Sequence, residues 1–152
     1  LIKMQDNYCG EMVLRYIKTN PGPAPMMNSS YKLVEYLKQT LDQDEINTYE
    51  FAYLVCIARD MSLLGYSRIS QGGRGSTIMD PLIIFTTALL RGSSNIILVH
   101  NHPSGMLVPS DSDKDITAKV KEIGRILGIY LSDHIIINAE FNYFSFADNG
   151  IL

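Results

Sequence analysis

Tryptophan is absent from this 152-residue chain, and cysteine occurs only twice, as Cys9 and Cys56. The two are far apart and form no CxxC pair, so no disulfide framework or cysteine metal cluster is expected. Cys56 lies in an apolar run, where a free thiol behaves as a small hydrophobe. This usage predicts a reducing, cytoplasmic setting. No apolar run reaches the length of a membrane span, so no membrane partner is expected. The opening LIKMQDNYCGE lacks the apolar stretch of a signal peptide. An excess of basic charge is also missing: thirteen Lys and Arg stand against sixteen Asp and Glu, for a net charge of −3. Nucleic-acid-binding domains usually carry a basic face. Here the best cluster, Lys119, Lys121 and Arg125, is interleaved with Asp115 and Glu122, as on a solvated helix. Direct nucleic-acid binding by this chain alone is therefore not expected. There are no internal repeats and no low-complexity tracts.

Apolar residues make up 46% of the chain, enough for one packed core. Residues 1–10 are read as a mobile N-terminal segment and 11–152 as one domain. EMVLRYIK (11–18) alternates as a strand does. NPGPAP (20–25) serves as a connector. Ser29 or Ser30 caps a helix with Val34, Leu37 and Leu41 along its apolar stripe, ending near Leu41 or Asp42. EFAYLVCIA (50–58) and LLGYSRIS (63–70) pair as a hairpin. The glycine-rich QGGRGS has no following GK[ST] and is read as loop geometry, not as a phosphate cradle. Pro81 opens a helix to about Leu90, with Ile83, Ile84, Ala88 and Leu89 at helical spacing. NIILVH (95–100) is a buried strand. Residues 111–127 form a helix with Ile116, Val120, Ile123 and Leu127 inward, stopped by Gly128. IYLSDHIIIN (129–138) and FNYFSF (141–146) are the last strands. Helices alternating with strands imply a single layered α/β domain, and the hairpin makes its sheet mixed.

Polar residues interrupt the pattern where NIILVH ends. In extended backbone, residues two apart point to one side, so His100 and His102 present two imidazoles to one point. Pro103 and Gly105 turn the chain, and Asp113 falls in the first turn of the next helix. Two imidazoles and a carboxylate are the protein half of a tetrahedral zinc site whose fourth position takes water. Zinc lowers the pKa of such a water to roughly 7 and polarises a carbonyl. Amide hydrolysis also needs a proton shuttle, for which Glu50 is the candidate. It needs an oxyanion partner too, for which Ser110 is the candidate. Spacing alone leaves plainer readings open. Ser110 and Asp113 match a helix-start S-x-x-D pattern, Glu50 could be a polar strand edge, and HPSG could be only a turn.

Taken together, Glu50, His100–Asn101–His102–Pro103–Ser104–Gly105, Ser110 and Asp113 resemble the JAMM signature, closest to its RadC-like branch. Pro109–Ser110, Asp133–His134, Phe144–Ser145–Phe146 and Gly150 are similar to further elements of that branch. The likeness spans about residues 11 to 152. It implies a JAMM/MPN fold: a curved mixed β-sheet flanked by helices, similar to the cytidine deaminase core. It also implies one Zn2+ per chain on His100, His102 and Asp113, with Glu50 as general acid/base and Ser110 as oxyanion aid. The implied activity is that of a metallopeptidase or isopeptidase acting on a protein or peptide substrate. Pro81–Leu82 stands where the branch often has Pro-Arg. The helical DNA-binding-type module of longer members does not fit before Glu11, so a short, JAMM-only member is expected.

Two alternatives are a DNA-repair-associated accessory protein and a non-catalytic MPN-type interaction module. The first would require the basic surface this chain lacks, and the second the loss of ligands this chain keeps. A zinc deaminase would need H-x-E and P-C-x-x-C, and both are missing. An iron oxygenase shares the donor set, but its usual all-β scaffold does not accommodate these helices.

Overall fold

The computed structural model describes residues 23–72 and 79–152. The expected strand at 11–18 and most of QGGRGS lie outside the described residues. Among the described residues, the order is α1 (Ser30–Thr40), α2 (Gln43–Thr48), β1 (Phe51–Ile57), β2 (Leu63–Gln71), α3 (Pro81–Leu90), β3 (Asn95–Asn101), α4 (Asp111–Leu127), β4 (Tyr130–Ile137) and β5 (Tyr143–Ser145). The strands form one mixed sheet in the order β2-β1-β3-β4-β5. β1 and β2 are the expected hairpin, and β1 is also antiparallel to β3. β3 and β4 are parallel, so α4 must cross over to join them.

The caps explain most element starts. Ser29 accepts a hydrogen bond from the Lys32 backbone N–H at 3.3 Å and starts α1. Asp80 accepts from Leu82 N–H at 2.8 Å, with Pro81 in the first helical turn of α3. Gly128 ends α4 at φ 71°, a left-handed conformation that costs glycine little. One element differs from the sequence reading. The stretch after Asp42 is a second short helix, α2, because Asp42 turns to accept from Asp44 N–H at 2.9 Å. Six residues are too few to show a helical period.

The central strands are buried on both faces, and their alternation sorts the core into two layers. Phe51, Tyr53, Val55 and Ile57 meet Ile97, Val99, Ile135 and Ile137 beneath Leu33, Val34 and Leu37 of α1. Ala52, Leu54 and Cys56 meet Ile96 and Leu98 beneath α3 and α4 on the other face. Two expected stripes are corrected here. On α3 the buried residues are Ile84, Phe85 and Ala88, while Ile83 and Leu89 are exposed. This helix is apolar almost all round, so its spacing does not mark one face. On α4, Thr117, Val120 and Gly124 are buried. Ile116 and Ile123 pack at the margin, and Leu127 is exposed. The stripe is turned by about one residue, because α4 packs on its smallest side chains. No helix among the described residues is long and apolar enough to cross a membrane.

Gly124 is where α4 meets the chain leading into β4. A Cβ built there would lie 2.3 Å from the Ile129 carbonyl oxygen. Helix propensity alone would favour Gly124→Ala by about 1 kcal/mol. The close approach predicts the reverse, a loss of about 1–3 kcal/mol read as a lower melting temperature. An unchanged or raised melting temperature would show that the α4–β4 junction is looser than described.

Candidate metal centre

β3 runs through the middle of the sheet and ends in His100 and Asn101, both buried. Their side chains go to opposite faces. Asn101 turns to the α1 side, where its Oδ1 accepts from Phe51 N–H at 2.7 Å. Its Nδ2 donates to the Ile46 and Tyr49 carbonyls at 2.8 and 2.7 Å. The end of α2 and the start of β1 are thereby fastened to the end of β3. Glu50 sits at that junction, 9% exposed. In the antiparallel register Ala52 faces His100, and Glu50 stands two residues before Ala52, just outside β1. Strand alternation continued one residue beyond β1 would carry it to the His100 side of the sheet.

His100 and His102 converge as their spacing implies, with the two Nε2 atoms 2.9 Å apart. The Asp113 Oδ1 lies 3.2 Å from His100 Nε2. One ligand atom from each of the three residues falls within 4.8 Å of the others, so the trio is placed to hold a metal ion. The donor chemistry fits that use. The Nδ1 of His102 is 2.7 Å from the Met106 carbonyl oxygen. A carbonyl only accepts, so Nδ1 carries the proton and the Nε2 lone pair faces His100. That lone pair, a second imidazole and a carboxylate make a donor set that could hold a cation.

Ser110 and Asp113 form a complete capping box at the start of α4. The Ser110 backbone N–H and its hydroxyl both donate to Asp113 Oδ2, each at 2.7 Å. Oδ1 is left turned to His100. The helix-start reading and the ligand reading therefore hold together, since the cap orients the carboxylate. The Ser110 hydroxyl proton is committed to Asp113 in this arrangement. Burial alone would raise the Asp113 carboxyl pKa. The hydrogen bond and charge of His100 and the Ser110 bonds outweigh it, and hold the group well below the usual carboxylate range.

The Asp133–His134 pair divides between the two faces. On the α1 side, Asp133 Oδ2 accepts from Ser30 at 3.0 Å and Ser145 at 2.6 Å. Its Oδ1 accepts from the His134 and Ala147 backbone N–H groups at 2.7 and 2.9 Å. This carboxylate is a structural clamp between α1, β4 and the segment that follows β5. His134 lies on the metal side, with Nε2 2.9 Å from His100 Nδ1. Its own Nδ1 is 2.6 Å from the Thr117 hydroxyl. Sequence reading singled out no role for Thr117, although it lies one helical turn after Asp113. Its signal was a lone hydroxyl on the stripe of α4 that faces the sheet.

The fold and this cluster define the chain's class, a layered α/β domain with a His-x-His and carboxylate centre at a strand end. The sequence profile of the RadC-like JAB domain matches residues 27–151, and the chain belongs to that family. Similar relatives include a UPF0758 protein of Flavobacterium johnsoniae, 40% identical over 68% of this chain and 44% of the relative. One of Thermotoga maritima is 32% identical over 83% of this chain and 54% of the relative. Another of Desulfitobacterium hafniense is 34% identical over 93% and 61%. The chain thus spans about half the length of the curated relatives it matches.

Burial, followed by the charge of His100, pushes the His134 pKa down to about 3. Unfolded, the ring titrates near 6.5 and takes up a proton that the folded state refuses. Between about pH 6.5 and 3 the unfolded state thus binds more protons, and metal-free stability falls with pH by up to about 1.4 kcal/mol per unit. Chemical denaturation from pH 7 to 4 is expected to show this slope. A His134→Phe variant that remains folded is expected to flatten it, and an equal slope in both proteins would assign the acid loss to other groups.

Proposed function

We propose that this domain is a zinc-dependent hydrolase that cleaves an amide bond, peptide or isopeptide, in a protein or peptide substrate. The observation that carries the reading is the convergence of His100 Nε2, His102 Nε2 and Asp113 Oδ1 at the end of β3. Two imidazoles and one carboxylate suit a catalytic rather than a structural zinc site, because a fourth position stays open. Bound there, zinc supplies Lewis acidity, acidifying a water and polarising the scissile carbonyl.

The chain's own groups would do the rest. Glu50, on the His100 side of the sheet, takes the proton of the attacking water and passes it to the departing nitrogen. The Ser110 hydroxyl turns from Asp113 to donate to the oxyanion as it forms. Asp113 keeps its carboxylate charge throughout, a role its depressed pKa favours. The loop after His102 exposes Met106 and Val108 beside the site, an apolar surface suited to a peptide backbone or side chain. The cysteine usage supports a cytoplasmic setting.

Elemental analysis of untagged protein is expected to find about one zinc per chain, and His100→Ala/His102→Ala none. Asp113→Ala is expected to weaken zinc binding strongly, whereas unchanged affinity would reduce Asp113 to a helix cap. Glu50→Gln is expected to keep the metal while kcat on peptide or isopeptide libraries falls about 10²–10⁴-fold. Equal rates in variant and parent would remove Glu50 from the proton path. A parent that stays metal-free in excess zinc would overturn the hydrolase reading.

A further inference from the structure

The chain has three histidines, and all three imidazoles lie in one contiguous chain of contacts. Two of them face the metal position. The third, His134, is fully buried behind them and ligates nothing in the proposed site. A buried imidazole must place one N–H and one lone pair, and its neighbours decide which nitrogen takes which.

The direction can be worked out from its far end. The Thr117 hydroxyl lies 2.5 Å from the Asp113 backbone carbonyl, one turn back on α4. That oxygen only accepts, and the shorter of the two hydroxyl contacts assigns it the single hydroxyl proton. The same hydroxyl oxygen is 2.6 Å from His134 Nδ1 and must there accept. His134 therefore carries its proton on Nδ1, which leaves a lone pair on Nε2. That lone pair is 2.9 Å from His100 Nδ1, which must donate to it. With Nδ1 committed to that donation, His100 gives up the Nε2 proton it shares with Asp113 when a metal binds, which leaves its lone pair on Nε2, toward His102 and Asp113. Each contact is short, and once the Thr117 proton is placed on the Asp113 carbonyl the donor at every later step follows.

The orientation of the ring is fixed independently. His134 stacks on Phe146 with centroids 4.8 Å apart and planes 17° from parallel. Its backbone N–H is held by Asp133, and its carbonyl accepts from Phe146 N–H at 3.0 Å. The Asp133 clamp on one face thus aims an imidazole on the other.

We infer that Thr117 and His134 form a directional hydrogen-bond relay that locks His100 in the tautomer whose Nε2 lone pair faces the metal. The inference rests on the metal reading given above and deepens it. His134 is a positioning residue and touches neither metal nor substrate. Groups behind ligating histidines commonly do this as a carboxylate or a carbonyl. Here an imidazole does it, taking its direction from the backbone carbonyl of Asp113, itself a proposed ligand. Two of the three ligands are thereby coupled through α4.

The test compares zinc affinity, by competition with a chromophoric chelator, in untagged parent, Thr117→Val, Thr117→Ser and His134→Phe proteins. Melting of the metal-free forms checks that each is folded. Thr117→Val is nearly isosteric and replaces the hydroxyl with a methyl group. It is expected to lose about 10–100-fold in zinc affinity, with Thr117→Ser restoring most of it. His134→Phe is expected to lose at least as much as Thr117→Val. A valine variant binding zinc within about twofold of the parent would overturn the relay. In parallel, nitrogen NMR of histidine-labelled metal-free protein reads all three rings. The relay requires His134 protonated on Nδ1 and bare on Nε2, and the opposite tautomer would sink it. If the parent takes up no zinc, the hydrolase reading fails, and the spectrum alone decides the relay.

Discussion

β3 pairs with β4 in parallel, and the arrangement of the site depends on that pairing. Parallel neighbours cannot be joined by a tight turn, so the chain leaving His102 must make a crossover before β4 begins. That crossover is α4. Its first turn brings Asp113 to the imidazoles, and its second brings Thr117 over the sheet. The return strand then sets His134 beside His100 across the parallel ladder, where Leu98 and His134 are paired. A sheet with β3 and β4 antiparallel would keep the two histidines of the H-x-H motif but lose the helix between them.

The same strand end does different work on its two faces. Toward α1, Asn101 uses its amide to hold the end of α2 and the start of β1, which sets Glu50 in place. Toward α4, His100 presents a donor atom to the point where the trio could hold a metal ion. Neighbouring positions in a strand point apart, so a single dipeptide serves both the scaffold and the chemistry. Asp133 and His134 repeat this division one strand over. A carboxylate that binds four donors on one side steadies an imidazole on the other.

Charge and hydrogen bonding agree on the state of the centre. The Asp113 carboxylate stays ionised against the pull of burial, because His100 and the Ser110 cap favour its charge. His134 stays neutral because burial forbids a second charge behind the first. An anionic ligand in front and a neutral ring behind suit a site built around a cation.

Much of this could be read locally. The H-x-H pair at the end of an apolar strand, the S-x-x-D start of α4, Pro81 in the first turn of α3 and Gly128 after α4 are all short-range patterns, and each appears where its chemistry demands. The short helix α2 was hidden because six residues cannot display a period. The buried side of α3 was hidden because a helix apolar all round does not mark its inward face. By itself the sequence determined the central strands, the caps and which three residues could hold a metal ion, since these depend on neighbours a few positions apart. Only the tertiary structure decided that His134 and Thr117 stand behind His100. The His100–His134 contact joins residues 34 positions apart, and parallel pairing across a helix leaves no short-range trace of which residues it will bring together.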